Sequence, residues 1–293
     1  MTILVTGSTG TIGSHIIEIL TAKGADVRAL IRAGKKTDFP AGVQTVTGDM
    51  TDLESMREAL KGVTTLFLLN AVVPDELTQA LTTLDLAADA GIQRIVYFSV
   101  FNGILFSDVP HFTAKYNVEK AIEDRGLSAT ILRPAYFFQN ELTLREAIMQ
   151  YGTYSQPLGN RGAAMVDARD IAEVAALELL RREQSQVPLP RCIIDVVGPD
   201  LITGMEAATI WSEATGKDVI YAGDDLKKFE EMMQQFAPAV LTRDIKMMFR
   251  GFQKYGMIPG ESSRDILTGM LGRPLRNYRD FVRETVQSWN AQA

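Results

Sequence analysis

The sequence predicts an α/β protein: a doubly wound parallel sheet followed by a smaller, mainly helical C-terminal lobe. In the first half of the chain, short β-branched runs alternate with amphipathic stretches at helical spacing, which is the pattern of successive βαβ units. The run Leu66-Phe67-Leu68-Leu69 is apolar throughout, as expected of a strand that helices cover on both faces. We therefore expect a sheet domain over residues 1–150, with 160–200 returning to the same sheet, and a helical lobe over 201–293.

Each element follows from its own pattern. The first helix carries apolar residues at Ile12, Ile16 and Leu20 and meets a stop at Gly24, because glycine suits the end of a helix. Further helices are predicted where apolar residues recur at helical spacing, at 53–60, 75–90, 112–124, 170–181, 204–215, 226–236, 243–255 and 278–289. Strands are predicted at the short β-branched or apolar runs 2–6, 27–31, 43–46, 66–69, 95–98, 129–132 and 193–197.

The composition excludes several classes of function. Hydrophobic residues make up 46% of the chain and the formal net charge is −6, with no basic run of the kind that a nucleic-acid surface needs. No apolar stretch reaches the roughly 18 residues of a membrane span, and from the opening residues we expect no secretory signal. The single cysteine, Cys192, excludes an internal disulfide and fits a reducing compartment. We expect a cytoplasmic protein with neither nucleic acid nor membrane as a partner.

The most informative motif is the run Gly7-Ser8-Thr9-Gly10-Thr11-Ile12-Gly13, between the first predicted strand and the first helix. In a dinucleotide site, the first glycine permits the tight turn, the second lets the backbone approach the pyrophosphate, and the third lets helix pack on strand. The helix N-terminus adds free N–H groups and a partial positive charge. The motif predicts a Rossmann-like fold that binds NAD(P) through Gly7, Thr9, Gly10, Thr11, Ile12 and Gly13.

The residues after the second strand predict which dinucleotide is bound. NAD-binding proteins commonly place an acidic residue there, which hydrogen-bonds the ribose 2′-hydroxyl. Here Arg32 is followed by Lys35 and Lys36, and the first acidic residue is Asp38. Because a guanidinium binds a phosphate in a bidentate, charge-assisted way, we expect NADP(H) to be preferred over NAD(H), with Arg32 and Lys36 as contacts. The alternative is a solvated basic loop.

Several segments along most of the chain share the pattern of one known family: 5–13, 48–52, 94–99, 110–115 with Glu119, 126–134, 168–172 and 268–274. Together they resemble the NmrA-like branch of the atypical short-chain dehydrogenase/reductase superfamily. The resemblance implies that Asp49 and Met50 border the adenine. It implies that the cofactor wall continues with residues after the fourth and sixth strands, namely Leu69, Asn70, Ala71, Pro134, Tyr136 and Phe137.

The usual catalytic pair of that superfamily is incomplete here. A Tyr and a Lys at i and i+4 lie on one helical face, so that the ammonium lowers the pKa of the phenol. Tyr116 and Lys120 have this spacing literally. In the family pattern, however, a glutamate follows the motif lysine by four residues, which makes Glu119 point back to Lys115 and puts His111 in the tyrosine position. Tyr116 would then point about 100° away from Lys115.

Each candidate catalytic residue has an alternative role. His111 serves as an acid in place of the tyrosine, since imidazole titrates near neutral pH, or it caps the helix or contacts substrate. The resemblance implies that Lys115 contacts the nicotinamide ribose or acts as an acid–base group; otherwise it is an exposed surface lysine. Ser99 ends the fifth strand and faces the ligand, or it only satisfies backbone groups. The cluster Tyr136-Phe137-Phe138 stacks near the nicotinamide, or it belongs to the core. No metal site is expected, because His15 has no second ligand near it in sequence.

The resemblance implies one of two main functions. The first is NADPH-dependent hydride transfer to a flat, electron-poor acceptor such as a quinone, azo compound or dye, with 201–293 as the substrate-binding lobe. Such a transfer needs mainly proximity and orientation and tolerates the missing tyrosine. The second is a non-catalytic redox sensor that binds NAD(P), as the regulators of this branch do. A sugar-nucleotide epimerase or dehydratase is a weaker alternative. The expected partner is an aromatic or quinone-like small molecule, with a homodimer left open.

Overall fold

The computed structural model describes residues 1–35 and 37–292. Its strands are β1 Thr2–Val5, β2 Asp26–Ile31, β3 Gln44–Thr47, β4 Thr65–Leu68, β5 Arg94–Phe98, β6 Ala129–Pro134, β7 Thr153–Tyr154, β8 Cys192–Val196 and β9 Ile220–Tyr221. Its helices are α1 Thr11–Ala22, α2 Leu53–Leu60, α3 Glu76–Asp89, α4 Pro110–Asp124, α5 Arg145–Met149, α6 Ala168–Gln184, α7 Gly204–Thr215, α8 Leu226–Met233, α9 Ala239–Tyr255, α10 Ser263–Leu271 and α11 Tyr278–Ala291, with a 3-10 helix at Phe138–Leu144.

In the part of the chain that the structure describes, seven strands form one sheet in the order β3-β2-β1-β4-β5-β6-β8. The pairs from β3 through to β6 are all parallel. The chain winds outward from β1 in one direction and from β4 in the other, so the strand order reverses between these two strands. Ligands of such sheets bind outside the carboxyl ends of the strands at this reversal. The predicted fold class, a Rossmann-like doubly wound α/β sheet, is confirmed.

The chain divides into two compact units. The first comprises residues 1–103, 111–133 and 169–195, and it contains nearly all of the large sheet. One face of that sheet packs against helices through a fully apolar core, which includes Leu4, Leu66, Leu68, Ile95, Met56, Leu84, Val118 and Ile122. Burial of these side chains from strands and helices together accounts for the apolar runs on which the sequence prediction rests.

The second unit comprises residues 104–110, 134–168 and 196–293. It contains the short parallel pair β7–β9, the 3-10 helix with α5, and the helices from α7 onward. Helix α7 starts at a capping box between Thr203 and Glu206. The indole rings of Trp211 and Trp289 stack at a centroid distance of 5.2 Å. Among the described residues, no helix has the length and apolarity that crossing a membrane requires.

The observed division differs from the expected boundary at residue 201. The chain leaves the sheet where β6 ends at Pro134, and the segment 134–168 folds with the second unit before α6 and β8 return to the sheet. Helix α10 was also not predicted from the sequence. Its buried set contains only Leu267, so it lacks the apolar periodicity from which amphipathic helices are recognised.

Candidate functional site

The glycine turn between β1 and α1 is built from close backbone contacts. Gly7 has a φ of 60°, and its carbonyl accepts a hydrogen bond from the Gly10 N–H over 3.0 Å. A Cβ on Gly13 would lie 2.3 Å from the Gly7 carbonyl oxygen, whereas a Cβ on Gly10 would lie 3.4 Å from the same atom. Gly7 and Gly13 therefore shape the turn, and Gly10 lies open at its outer side.

The first turn of α1 presents unused backbone donors. Gly10 is the N-cap residue, provides no side-chain cap, and is followed by no acidic residue in the first turn. Thr9, Gly10 and Thr11 are exposed, while Ile12 and Gly13 are buried beneath them. The first N–H groups of a helix have no partner within the helix, so this end offers donors and a partial positive charge to a phosphate. The predicted pyrophosphate contacts lie together at this turn.

Leu69 closes the underside of the turn from the end of β4. The Thr6 hydroxyl accepts from the Leu69 N–H over 2.8 Å and donates to the Leu69 carbonyl over 2.9 Å. A Cβ on Gly7 would lie 2.4 Å from Leu69 Cδ2. Asn70, the next residue, is buried, and Ala71 is exposed. The predicted wall after the fourth strand is thus directly beside the glycine turn.

A second group of predicted contacts lies at the carboxyl ends of β2 and β3. Arg32 is exposed immediately after β2. Thr51 donates to Asp49 Oδ1 from its N–H over 2.9 Å and from its hydroxyl over 2.7 Å. These bonds, with a smaller contribution from the charge of Arg32, hold the pKa of Asp49 below its usual value. The Asn70 amide contacts Met50 Sδ over 3.6 Å. Lys36 lies outside the described residues.

One face of α4 carries the predicted catalytic residues. His111, Lys115 and Glu119 follow one another at intervals of four residues and are all buried. Lys115 is only 6% exposed, and its Nζ lies 3.3 Å from Oε2 of Glu76. The alternative that Lys115 is an exposed surface lysine is therefore wrong. The ring of His111 packs edge-on against Phe112 at a centroid distance of 4.7 Å.

Tyr116 and Lys120 occupy a different side of the helix. A Cβ on Gly103 would lie 3.2 Å from the Tyr116 Cβ, so Tyr116 packs beneath the loop that follows β5. Lys120 pairs at the surface with Glu123, at 2.5 Å. The geometry separates this literal Tyr-x-x-x-Lys spacing from the buried face that carries Lys115.

Ser99 lies at the end of β5, where its hydroxyl donates to the Glu119 carboxylate. Ser99 is 1% exposed, and its N–H donates to the Leu132 carbonyl over 2.8 Å. Arg133 Nε lies 3.0 and 3.1 Å from the two oxygens of Glu119. Glu119 is thus a buried carboxylate with both oxygens occupied. The catalytic role of Ser99 stays a prediction. The alternative expected its hydroxyl to satisfy backbone groups, whereas the observed partner of the hydroxyl is the Glu119 side chain.

Two residues that the sequence analysis missed belong to this group. Glu76 opens α3 and is 4% exposed. Tyr97, in β5, is buried, and its hydroxyl lies 3.5 Å from the Lys115 carbonyl. Burial, with the charges of Glu76 and Glu119, raises the pKa of Tyr97, which stays a neutral phenol. Nothing in the spacing marks Glu76, because its partner lies on another helix.

The predicted contacts after β6 fall in the second unit. Pro134 and Tyr136 are buried and Phe137 is half-buried. Tyr136 packs on Phe249 and Phe252, at centroid distances of 6.0 and 5.8 Å. Tyr136 is therefore a core residue of that unit, in agreement with the second of the two alternatives for the cluster. Among the described residues, no group of His, Cys, Asp or Glu side chains is arranged to hold a metal ion.

Comparison with known proteins identifies the relatives of the chain. A model of the NmrA-like family matches residues 1–280. The NAD(P)H azoreductase of Xenophilus azovorans is 29% identical over 298 residues, which cover 99% of each chain. The NADPH-dependent quinone oxidoreductase of Escherichia coli, solved in complex with NADPH, superposes with a TM-score of 0.82 at 22% identity, covering 96% of this chain and 99% of that one. The triphenylmethane reductase of Citrobacter sp. has a TM-score of 0.84 at 23% identity, covering 98% of this chain and 100% of that one.

Proposed function

The chain belongs to the NmrA-like family, and from that premise we propose that it is an NADPH-dependent reductase. Its substrate class is a flat, electron-poor acceptor such as a quinone, an azo compound or a dye. The observation that carries the proposal is the buried Lys115–His111 face of α4 in the same unit as a glycine turn shaped for a dinucleotide. The similar azoreductase, quinone oxidoreductase and dye reductase support the substrate class.

The glycine turn fits a dinucleotide pyrophosphate on steric grounds. A side chain at Gly13 would collide with the Gly7 carbonyl, and the first turn of α1 has no capping side chain or acidic residue. Donors that no protein side chain occupies are what a phosphate requires at a helix N-terminus. Thr11 and Ile12 would hold the pyrophosphate through their backbone N–H groups, while the Gly10 N–H is used within the turn by the Gly7 carbonyl.

Arg32 supports a preference for NADP(H) over NAD(H). Its exposed guanidinium follows β2, where the ribose of a dinucleotide lies in this fold. The neighbouring Asp49 carboxylate is engaged by Thr51. Arg32 would therefore bind a 2′-phosphate by charge-assisted hydrogen bonds.

The chain contributes orientation and a proton to the reaction. When bound, the nicotinamide supplies the hydride that reduces the acceptor. Lys115 would hold the nicotinamide ribose through its ammonium, and His111, one helical turn earlier, would donate the proton that the reduced acceptor takes up. Neither step needs a tyrosine, because hydride transfer to an electron-poor acceptor depends mainly on proximity and orientation.

The test is to follow oxidation of NADPH and of NADH by absorbance with a panel of quinones, azo dyes and triphenylmethane dyes. We expect turnover of at least one class with NADPH and a loss of activity in His111→Ala and Lys115→Ala. His15→Ala and Lys120→Ala are matched controls, since both residues lie at the surface of unit 1 helices. NADPH binding without turnover of any acceptor would instead favour the redox-sensing regulator. The expectations of a cytoplasmic location and a homodimer stay predictions.

A further inference from the structure

We propose that Glu76 is the positioning residue of Lys115, holding its ammonium at the nicotinamide end of the cofactor site. Glu76 is not one of the residues that the sequence pattern marks, and it reaches Lys115 from a different helix. The inference rests on the proposed function, because it assigns Lys115 to the bound cofactor.

The contact itself joins two buried charges. Oε2 of Glu76 lies 3.3 Å from Nζ of Lys115, and the two side chains are 5% and 8% exposed. A buried ammonium without a counter-charge is unfavourable, so the carboxylate determines where the ammonium is stable. A lysine side chain has a flexible stem of four carbons and no fixed hydrogen-bonding plane. The direction of the buried Lys115 side chain therefore depends on a charged partner such as Glu76.

The order of the strands places this pair at one end of the site. Glu76 opens α3, which follows β4, and Lys115 lies in α4, which follows β5. Arg32 and Asp49 follow β2 and β3, on the other side of β1 and its glycine turn. A dinucleotide whose pyrophosphate lies on that turn and whose adenosine lies toward β2 and β3 extends its nicotinamide toward β4 and β5. Glu76 and Lys115 therefore meet at the nicotinamide side.

The other buried carboxylate of this face is already engaged. Glu119 accepts from Ser99 and forms an ion pair with Arg133. Glu76, by contrast, lies within ion-pair distance of Lys115 itself. Arg133 thus pairs with Glu119, and Lys115 pairs with Glu76. Lys115, the cation of the second pair, is the candidate ligand-binding residue.

The test compares two ligands that differ at the nicotinamide end. NADPH and adenosine 2′,5′-bisphosphate share the adenosine with its 2′-phosphate, and only NADPH reaches Lys115. For Glu76→Gln we expect about tenfold weaker NADPH binding, the size of one charge-assisted hydrogen bond, and a change below about twofold for the bisphosphate. Equal losses for both ligands, or no loss for NADPH, would overturn the proposal.

The matched control is Glu183→Gln. Glu183 is also a buried carboxylate of the first unit, but it accepts hydrogen bonds from Thr64 and Thr65 at the amino end of β4. We expect both ligands to bind this variant as they bind the wild type. A loss of NADPH binding in Glu183→Gln equal to that in Glu76→Gln would show that removal of any buried carboxylate has the effect, and it would overturn the proposal.

A double-mutant cycle separates positioning from a merely structural effect. If Glu76 acts through Lys115, the double variant Glu76→Gln/Lys115→Met binds NADPH as weakly as Lys115→Met alone. Additive losses would contradict the mechanism. The double variant also leaves no uncompensated buried charge, so it serves where Glu76→Gln fails to fold.

Turnover provides a measurement that is independent of the binding comparison. With an acceptor that the wild type reduces, Glu76→Asp should recover part of the kcat that Glu76→Gln loses. Aspartate restores the carboxylate on a side chain that is shorter by one methylene group. If the wild type reduces no acceptor, the proposed reductase activity fails, while the two-ligand comparison still decides the role of Glu76.

Discussion

The three glycines of the turn differ in what a side chain would meet there. At Gly13 an added Cβ would lie 2.3 Å from a backbone oxygen, which cannot move without opening the turn. At Gly10 the nearest atom would be 3.4 Å away, an ordinary contact. The protein itself therefore requires a glycine at position 13 but not at position 10, where the proposed cofactor would be the reason for one.

We predict that Gly13→Ala and Gly10→Ala separate these two requirements. Gly13→Ala should cost about 1–3 kcal/mol of unfolding free energy, as overpacking does, and abolish NADPH binding. Gly10→Ala should unfold like the wild type and bind NADPH at least about tenfold more weakly. Urea denaturation and fluorescence titration measure the two effects. Gly269→Ala is the control, because Gly269 lies in α10 with open space around it; equal stability of Gly13→Ala and wild type would contradict the steric argument.

Arg32→Ala should change cofactor preference without changing the fold. The residue is exposed after β2, so its removal leaves no cavity. We expect the affinity for NADPH to fall about 10- to 100-fold, the range of charge-assisted bonds to one phosphate, and the affinity for NADH to stay within about twofold. Lys61→Ala, another exposed cation of the same unit, should change neither affinity. Tighter binding of NADH than of NADPH by the wild type would refute the role of Arg32.

At the scale of elements, the segment 104–110 is anchored to α9 within the second unit. The ring of Phe106 is fully buried and packs edge-on against Phe252 and Tyr255, at centroid distances of 5.8 and 6.0 Å. Gly251 leaves the space for this ring, since a Cβ there would lie 2.3 Å from Phe106 carbon atoms. The segment joins β5 to α4 along the chain, so this anchor fixes the residues that immediately precede His111.

Gly251→Ala is therefore expected to destabilise the second unit. The added methyl group collides with a ring that is already packed on two sides, and overpacking of this kind costs about 1–3 kcal/mol. Both tryptophans of the chain, Trp211 and Trp289, lie in this unit. Tryptophan fluorescence during urea denaturation thus measures the effect. In Gly269→Ala the added methyl group has open space. The better helix propensity of alanine should there raise the unfolding free energy by roughly 0.5–1 kcal/mol. A midpoint for Gly251→Ala at or above the wild-type value would exclude the clash.

At the scale of the whole molecule, the second unit buries a carboxyl group among aromatic donors. Glu141 is fully buried and accepts hydrogen bonds from the hydroxyls of Tyr154 and Tyr278 and, over 3.1 Å, from Trp211 Nε1. Burial outweighs these bonds and raises the pKa of Glu141 from 4.5 to about 7. The folded unit therefore binds this proton more tightly than the unfolded chain does.

The stability of the second unit should consequently fall as pH rises. Between pH 4.5 and about pH 7 the folded state holds more of the Glu141 proton than the unfolded state does, so this group lowers the unfolding free energy across that window, by roughly 3 kcal/mol at its upper end. In Glu141→Gln this contribution is absent. We expect the wild type to lose stability relative to the variant over the window, measured by urea denaturation with tryptophan fluorescence. If the unfolding free energies of the two proteins changed in parallel with pH, the proposed contribution of Glu141 would be contradicted.

The sheet and the turn were accessible from the sequence because their signals are local. Apolar runs such as Leu66 to Leu69, and the glycines at 7, 10 and 13, carry their meaning within one βαβ unit. The family pattern around Glu119 likewise singled out Lys115 over Lys120, and the structure buries the first and exposes the second. What could not be read was the boundary of the second unit, because 134–168 joins it by packing, without a change in composition.

By itself, then, the sequence determined the doubly wound sheet, the position of the glycine turn and, through the family pattern, which lysine of α4 is the candidate site residue. Only the tertiary structure decided what surrounds that lysine. Glu76 and Lys115 lie on different helices and meet only when β4 and β5 pair. Ser99 and Glu119 meet only when α4 packs against the end of β5. Charge partners separated along the chain leave no periodic trace, since their pairing depends on distance and burial in the folded molecule.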